Sequence, residues 1–139
     1  MKSNENYIQL KFFGFNIDHK EISDSMGLQP TQKWSKGDKY KSGRLEKIRK
    51  ENHWGFEIVT ETNDFIGDQA KAFLADIVLP RTREIRSLTN TCHGEFSIIQ
   101  YMYDSVNPGL YLDKDQIGIL HDCGLELNVD IYVLSEKND

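Results

Sequence analysis

Apolar and polar residues alternate in four separate stretches of the chain, and this period of two is typical of β-strands with one buried face. In the first stretch, Ile8, Leu10 and Phe12 lie on one side, and polar or aromatic residues lie on the other. The four predicted strands are residues 7–13, 53–61, 95–103 and 125–134. Each strand therefore offers one face to a core and one face to a surface.

Two short helices carry their own start and stop signals. The first helix follows Asp18, which is suited to capping free N–H groups, and it ends at Gly27. The second helix repeats this arrangement with Asp113 at its start and Gly124 at its end. Glycine adopts the left-handed conformation that terminates a helix, so both ends of both helices are predicted by the sequence.

A longer helical segment separates the two halves of the chain. It is predicted to begin at a cap formed by Asn63 or Asp64, and to break at Pro80, because proline lacks an N–H and clashes with the preceding turn. Each half then follows the order strand, helix, strand. Two β-α-β units predict a single α+β domain over residues 1–139, a ferredoxin-like sandwich with a four-stranded, mostly antiparallel sheet and helices on one face. The direction of the third strand relative to the second stays open.

The composition is that of a globular protein, with 38% hydrophobic and 28% charged residues in a chain of 139. No apolar run approaches the roughly 20 residues that cross a bilayer. The N-terminal residues are polar and lack the apolar core of a signal peptide. Two cysteines are too few for a disulfide framework. We therefore expect a cytoplasmic location.

The net charge of −5 is distributed unevenly. The segment Lys33–Lys50 holds eight basic and two acidic residues, which gives +6 and leaves −11 for the rest of the chain. Within it, residues 39–52 have no clean period, so we expect a mobile loop or an irregular hairpin with a helical turn near residues 45–48. The acidic remainder repels a long polyanion, so nucleic acid is not expected as a partner.

A set of short motifs resembles a bacterial family of uncharacterised proteins, domain of unknown function 4279. The matching residues are Met26-Gly27-Leu28, Pro30-Thr31, Trp34-x-Lys36-Gly37-Asp38, Trp54, Asn107-Pro108-Gly109 and Asp130-Ile131-Tyr132. The resemblance extends over nearly the whole chain. It implies a single-domain α+β architecture, and it implies no activity and no catalytic residue.

The turn Trp34–Asp38 is the first candidate ligand site. Lys36 offers a cation and Trp34 a flat aromatic ring to an anionic ligand, with Gly37, Asp38 and Trp54 beside them. The competing interpretation is structural and is favoured: Gly37 shapes a bend and Asp38 caps local N–H groups. In that case both tryptophans should be largely buried near the same edge of the core.

The exposed face of the sheet is the second candidate site. It should carry Tyr7, Tyr101, Tyr103, Asp130 and Tyr132, and open sheets with aromatic residues are used by RNA-binding domains to stack bases. Carboxylates beside these rings repel phosphates, and the glycine-aromatic RNA-binding signature is absent. Another protein, or a second copy of the chain in a homodimer, suits this face better.

Cys92, His93, His121 and Cys123 are residue types that bind zinc, and the topology brings them to one end of a β-α-β unit. Their spacing matches no metal motif, so we expect no metal and no cofactor. No catalytic motif is present either. The sequence thus favours a non-enzymatic protein-interaction module, of immunity type by analogy with other small acidic bacterial proteins. The alternative is a small-molecule or nucleotide-binding domain that uses the Trp34–Asp38 turn and the basic segment 39–50.

Overall fold

A computed structural model describes residues 3–61, 66–103 and 109–135. The elements are β1 Glu5–Phe13, α1 His19–Met26, β2 Gln32–Trp34, β3 Lys39–Ser42, β4 Leu45–Ile48, β5 His53–Glu61, α2 Ile66–Phe73, α3 Thr82–Thr89, β6 His93–Tyr103, α4 Lys114–Cys123 and β7 Glu126–Leu134. All four α-helices contribute side chains to one core on the same side of the sheet. The opposite side is called the open face below.

The main sheet has five strands in the order β2-β5-β1-β6-β7. Strand β1 lies in the middle and pairs antiparallel with both β5 and β6. Strands β5 and β6 therefore run parallel to each other with β1 between them, which settles the direction that the sequence left open. At the far edge, β7 pairs parallel with β6.

The α+β class is confirmed, but the structure differs from the expected ferredoxin-like arrangement. The sheet has five strands instead of four, because the short β2 pairs with the outer side of β5. Only β6, α4 and β7 form a parallel β-α-β unit. In the first half, β1 and β5 are antiparallel neighbours, so α1 does not connect parallel strands. The sheet is nevertheless mostly antiparallel, as predicted.

The predicted alternation places the core correctly. The side chains of Ile8, Leu10 and Phe12 from β1 are fully buried, as are Trp54 from β5 and Phe96 from β6. They pack against the helices in one hydrophobic cluster. The central strands thus follow the period of two that the sequence predicts.

Strand β7 keeps the predicted alternation but not the burial. Leu127, Ile131 and Val133 share one face and remain exposed, and only Val129 of this row contacts the core cluster. The reason is position: β7 is the edge strand of the sheet and has a neighbouring strand, β6, on one side only. An apolar row therefore remains at the edge.

The basic segment is more regular than expected. Strands β3 and β4 form a two-stranded antiparallel hairpin, with Lys39 opposite Ile48 and Ser42 opposite Leu45. A two-residue turn at Gly43 joins them, and no helical turn forms near residues 45–48. Both faces of this basic hairpin are largely exposed, so no hydrophobic period marks it in the sequence.

The helix signals are confirmed with one exception. Asp113 Oδ1 accepts a hydrogen bond from Gln116 N, and Gln116 Oε1 accepts one from Asp113 N, which completes a capping box. Asp18 occupies the cap position of α1, but its side chain makes no such bond. Gly27 and Gly124 end their helices with φ of 65° and 69°.

The predicted break near Pro80 is confirmed. After α2 the chain passes through a wide π-helical turn at Leu74–Val78 and a tight 3₁₀ turn at Leu79–Arg81, which contains Pro80. The side chain of Arg81 donates to the carbonyl oxygens of Met26 at 2.6 Å and Ile77 at 2.9 Å, so it holds this break against α1. The predicted caps at residues 63 and 64, and the turn residues 107 and 108, lie outside the described residues.

The two helix-ending glycines differ in the space around them, and this gives a matched pair of substitutions. Gly27→Ala adds a Cβ that meets nothing within 4 Å, whereas the same change at Gly124 places it 2.6 Å from Thr89 Oγ1. We expect Gly27→Ala to lower the free energy of unfolding by about 1–2 kcal/mol, because alanine is strained in the left-handed conformation. Gly124→Ala should cost about 1–3 kcal/mol more through overpacking. Urea unfolding measures both, and equal costs would contradict the close approach of α3 to α4.

Candidate functional site

Four aromatic rings form a row across one end of the open face. Trp34, His53, Phe13 and His93 come from β2, β5, β1 and β6, and they lie opposite one another in the strand register. Successive ring centroids are 4.0, 4.7 and 5.8 Å apart. At the β6 end, His93 Nε2 lies 3.0 Å from the Glu95 carboxylate. This aromatic row connects four of the five strands.

Arg49 attaches the basic hairpin to the aromatic row. Its guanidinium lies 3.7 Å from the ring centroids of both Trp34 and Tyr40. Backbone bonds reinforce this contact, because Gly37 N donates to Arg49 O and Arg49 N donates to Asp38 O. Each cation–π contact is worth about 0.5–2 kcal/mol. The hairpin is therefore fixed at its base.

The Trp34–Asp38 turn uses its own N–H groups. Ser35 N donates to Asp38 Oδ2 and Lys36 N donates to Asn52 Oδ1, each at 2.8 Å. Gly37 N and Asp38 N donate to backbone carbonyls. This turn thus offers no free backbone donor to an anion. Asp38 acts as the local cap that the structural interpretation predicted, and the Lys36 side chain stays exposed.

The two tryptophans lie near the same edge but on opposite faces of the sheet. Trp54 is fully buried in the core and donates from Nε1 to Ser23 Oγ at 3.1 Å. Trp34 is partly buried on the open face, where it stacks on His53. The expectation of core burial is therefore correct for Trp54 only. The reason is register: Trp34 pairs with His53, whose side chain points away from the core.

His19 fixes the β2–β5 pairing from α1. Its Nε2 lies 2.7 Å from the carbonyl oxygen of Trp34 and 3.0 Å from that of His53. Both partners are acceptors, so Nε2 must carry the proton and donate to them. The ring also makes an edge contact with Phe15 at 5.2 Å. The two hydrogen bonds from His19 set the position of Trp34 and His53, which carry the first two rings of the aromatic row.

His53 lines a cleft of about 270 Å³ in the open face. Its side chain is only 1% exposed, yet neither ring nitrogen has a hydrogen-bond partner among the described residues. Gln9 Oε1 in the same cleft is also buried without a partner, while Gln9 Nε2 donates to Glu57. The side chains and backbone of this histidine cleft belong to Gln9, Lys11, Thr31, Gln32, His53, Gly55, Phe56 and Glu57.

The cleft keeps His53 neutral. Burial lowers the pKa of His53 from 6.5 to about 4, and the positive charges of Lys11 and Arg49 act in the same direction. A neutral imidazole has one N–H donor and one nitrogen acceptor. The histidine cleft therefore contains one unused donor and two unused acceptors, counting Gln9 Oε1.

Three tyrosines meet at the other end of the open face. Tyr101 contacts Tyr7 edge-on at 5.7 Å between centroids and stacks on Tyr132 at 5.1 Å. The Tyr7 hydroxyl donates to Glu5 at 3.2 Å, and burial together with this carboxylate raises the pKa of Tyr7. The sequence prediction that these tyrosines share a face is confirmed by the strand register. We call them the tyrosine cluster.

The remaining residues predicted for this face are also found there. Asp130 lies opposite Ile99, in the same register row as Tyr7, and it is exposed. Tyr103 lies at the end of β6, two residues beyond Tyr101 and on the same face. The open face thus combines aromatic rings with carboxylates.

The four zinc-type residues do not form a site. Cys123 is fully buried and Cys92 partly so, and burial raises the pKa of both thiols, that of Cys92 to about 11. His121 is exposed on α4, and His93 belongs to the aromatic row. In the part of the chain that the structure describes, no group of three His, Cys, Asp or Glu side chains is arranged to hold a metal ion.

Sequence reasoning missed His53 and Asn52, and it included Arg49 only as one charge of the basic segment. The signal for His53 was present, because alternation in its strand puts it on the open face beside Gly55, and glycine within a strand often marks a close approach. Asn52 donates to Phe15 O and accepts from Lys36 N, so it joins two loops across a long sequence separation. Nothing in the local sequence indicates such a contact.

The architecture defines a class of small α+β domain in which helices cover one side of a mixed sheet and the other side carries polar and aromatic groups. The chain belongs to the family described as domain of unknown function (DUF4279), whose model matches residues 4–134. The resemblance seen in the sequence is thereby confirmed. No curated protein and no solved structure matches the chain significantly. None of the described helices has the length and apolar composition needed to span a membrane.

The depressed pKa of His53 predicts a pH dependence of stability. Between about pH 6.5 and 4 the unfolded chain binds a proton that the folded chain does not, so stability falls as the pH drops through this range. From pH 7 to pH 5 the loss from this group should be about 2 kcal/mol. His53→Phe should remove this contribution to the pH dependence of the free energy of unfolding. His121→Phe, a control at an exposed position, should keep it. Urea unfolding at several pH values measures this, and identical slopes for wild type and His53→Phe would contradict it.

Proposed function

We propose that the protein is a non-enzymatic, cytoplasmic interaction module that binds a basic segment of a partner protein through the tyrosine cluster. The observation that carries this proposal is the contact of Tyr7, Tyr101 and Tyr132 on the open face. Tyrosine supplies a large amphipathic contact area with little loss of side-chain entropy, and it is enriched at binding hot spots.

The position of the cluster favours recognition of a macromolecule. It lies across three neighbouring strands, two of which, β1 and β6, are central in the sheet and therefore rigid. Tyr132 keeps 49% of its surface exposed. On the other face of the same edge strand, Ile131 and Val133 are exposed as well. A partner that wraps this edge gains apolar contact from both faces of β7.

Charge favours a basic partner. Glu5 lies opposite Glu61 in the register, Glu57 lies four residues before Glu61 on the same strand and face, and Asp130 is also on this face. Outside the segment Lys33–Lys50 the chain carries −11. Such a field attracts a basic protein surface and repels nucleic acid. Masking a basic partner is also what an immunity-type role would require, and that role is proposed by analogy alone.

A second candidate is a small-molecule or nucleotide site at the Trp34–Asp38 turn and the basic hairpin. An open concavity of about 900 Å³ beside Phe13, Trp34 and Lys47 favours it. Two observations make this site a weaker candidate than the tyrosine cluster. The Trp34 ring already has Arg49 at 3.7 Å and His53 at 4.0 Å, so a nucleotide base would have to displace one of them. The N–H groups of the turn are also already paired.

Site-specific photo-crosslinking in the source cells tests the first proposal. A photoreactive phenylalanine replaces Val59, which lies opposite Tyr7 on the open face and is exposed. The control carries it at Lys20, which is exposed on α1. We expect one protein to be captured from position 59 and not from position 20. For the purified pair, Tyr132→Ala should raise Kd at least about tenfold, and Lys20→Ala should leave it unchanged.

Three results would contradict the proposal. Capture of only a second copy of the chain would assign the face to a homodimer. An unchanged Kd in Tyr132→Ala would remove the tyrosine cluster from the interface. Oligonucleotide binding tighter than about 10⁻⁵ M at physiological salt would exceed the non-specific range and favour a nucleic-acid partner.

A further inference from the structure

We propose that the histidine cleft binds a small zwitterion of amino-acid size, with its carboxylate against Lys11 and the N–H of His53 and its amine against Gln9 and Glu57. This proposal is independent of the partner-binding function, because Lys11 and His53, on which it depends, are not part of the tyrosine cluster. Only Glu57 contributes charge to both. Nothing in the family description assigns a ligand to these residues.

The unpaired polar groups of the cleft carry an energetic cost. Burying a polar group without a hydrogen bond costs about 1–3 kcal/mol, and such groups are rare in folded proteins. Two ring nitrogens of His53 and one carbonyl oxygen of Gln9 are buried without a hydrogen-bond partner among the described residues, and both side chains line the same cleft. If His53 served only to fill space between Trp34 and Phe13, phenylalanine would do so without this cost. A ligand that pairs with these atoms removes it.

Gly55 makes an opening beside His53. A Cβ at this position would lie 3.0 Å from His53 Nε2, so the ring nitrogen faces the space above the glycine backbone. Gly55 sits between Gln32 and Lys11 in the strand register. Any larger residue would crowd the ring and fill the cleft. The glycine thus leaves space beside Nε2 of His53, a nitrogen that is itself buried and unpaired among the described residues.

The charges of the cleft also favour a zwitterion. Lys11 takes part in none of the close ion pairs among the described residues, although it lies opposite Glu95 in the strand register. Its ammonium is therefore not held by a carboxylate and can contact an acid group in the cleft. Glu57 accepts a hydrogen bond from Gln9 and retains further acceptor capacity. The cleft therefore has a cation and a neutral donor on one side and two acceptor groups on the other. A molecule with an acid and an amine matches both sides.

The size of the cleft limits the ligand. Its volume of about 270 Å³ corresponds to about nine water molecules at about 30 Å³ each. This is smaller than the usual range of about 300–1,000 Å³ for drug-sized ligands. A free amino acid has a comparable number of non-hydrogen atoms, whereas a nucleotide is too large. The volume thus favours a single small metabolite over a polymer segment.

Calorimetry and side-chain NMR with the free amino acids, added singly, test the proposal. We expect at least one of the twenty L-amino acids to bind with a Kd below about 1 mM and to shift the side-chain ¹⁵N signals of His53. Acetate and methylammonium, which carry only one of the two charges, should bind at least tenfold more weakly. Lys11→Met and His53→Phe should each weaken binding at least tenfold. Lys33→Met is the control, because Lys33 lies on the other face of the neighbouring strand and should have no effect.

The proposal is overturned if no amino acid binds below about 1 mM. It is equally overturned if acetate or methylammonium binds as tightly, or if binding survives both Lys11→Met and His53→Phe. Circular dichroism of each variant confirms that it is folded, and Gly55→Ala provides a further variant that fills the cleft without changing any charge. Tyr132→Ala should leave amino-acid binding unchanged, which distinguishes failure at this cleft from failure at the tyrosine cluster.

Discussion

The position of β1 between β5 and β6 is the constraint on which the rest of the structure depends. Because both of its edges are paired, its side chains can leave only above and below the sheet. Ile8, Leu10 and Phe12 go to the core. Tyr7, Gln9, Lys11 and Phe13 go to the open face, and each of these four contributes to the tyrosine cluster, the histidine cleft or the aromatic row. A shift of one residue in register would exchange these two sets, so the same pairing determines both stability and the surface.

Buried polar side chains at the two ends of the sheet differ in whether they have hydrogen-bond partners. At one end, Asn6 is fully buried and satisfied: its amide donates to Gln69 at 3.2 Å, and it accepts from Gln100 at 3.0 Å. At the other end, His53 is equally buried and has no partner among the described residues. The fold can therefore satisfy a buried polar side chain where one is needed. This contrast is the physical reason to regard His53 as a recognition group and not as part of the packing.

Much of this could be predicted from the sequence because it depends on local rules. The period of two defined the central strands, with β5 at its observed limits, and Asp113 with Gly124 defined both ends of α4. The strand order could not be predicted, because pairing joins residues far apart in the chain. The basic segment was expected to be a loop or an irregular hairpin, and its two regular strands could not be predicted because both faces are exposed. For the site, alternation predicted which residues share the open face, but the unpaired state of His53 depends on neighbours from three other strands.

An experimental structure of the purified protein, at a resolution that reveals ordered water, tests the central claim most directly. The account predicts that the histidine cleft is open and that Gln9 Oε1 and one nitrogen of His53 bond to water or to a small molecule held there. It also predicts that the side chains of Gln9 and His53 remain on the open face beside Lys11. A His53 ring turned so that both nitrogens bond to protein groups, in a closed and dry cleft, would contradict it.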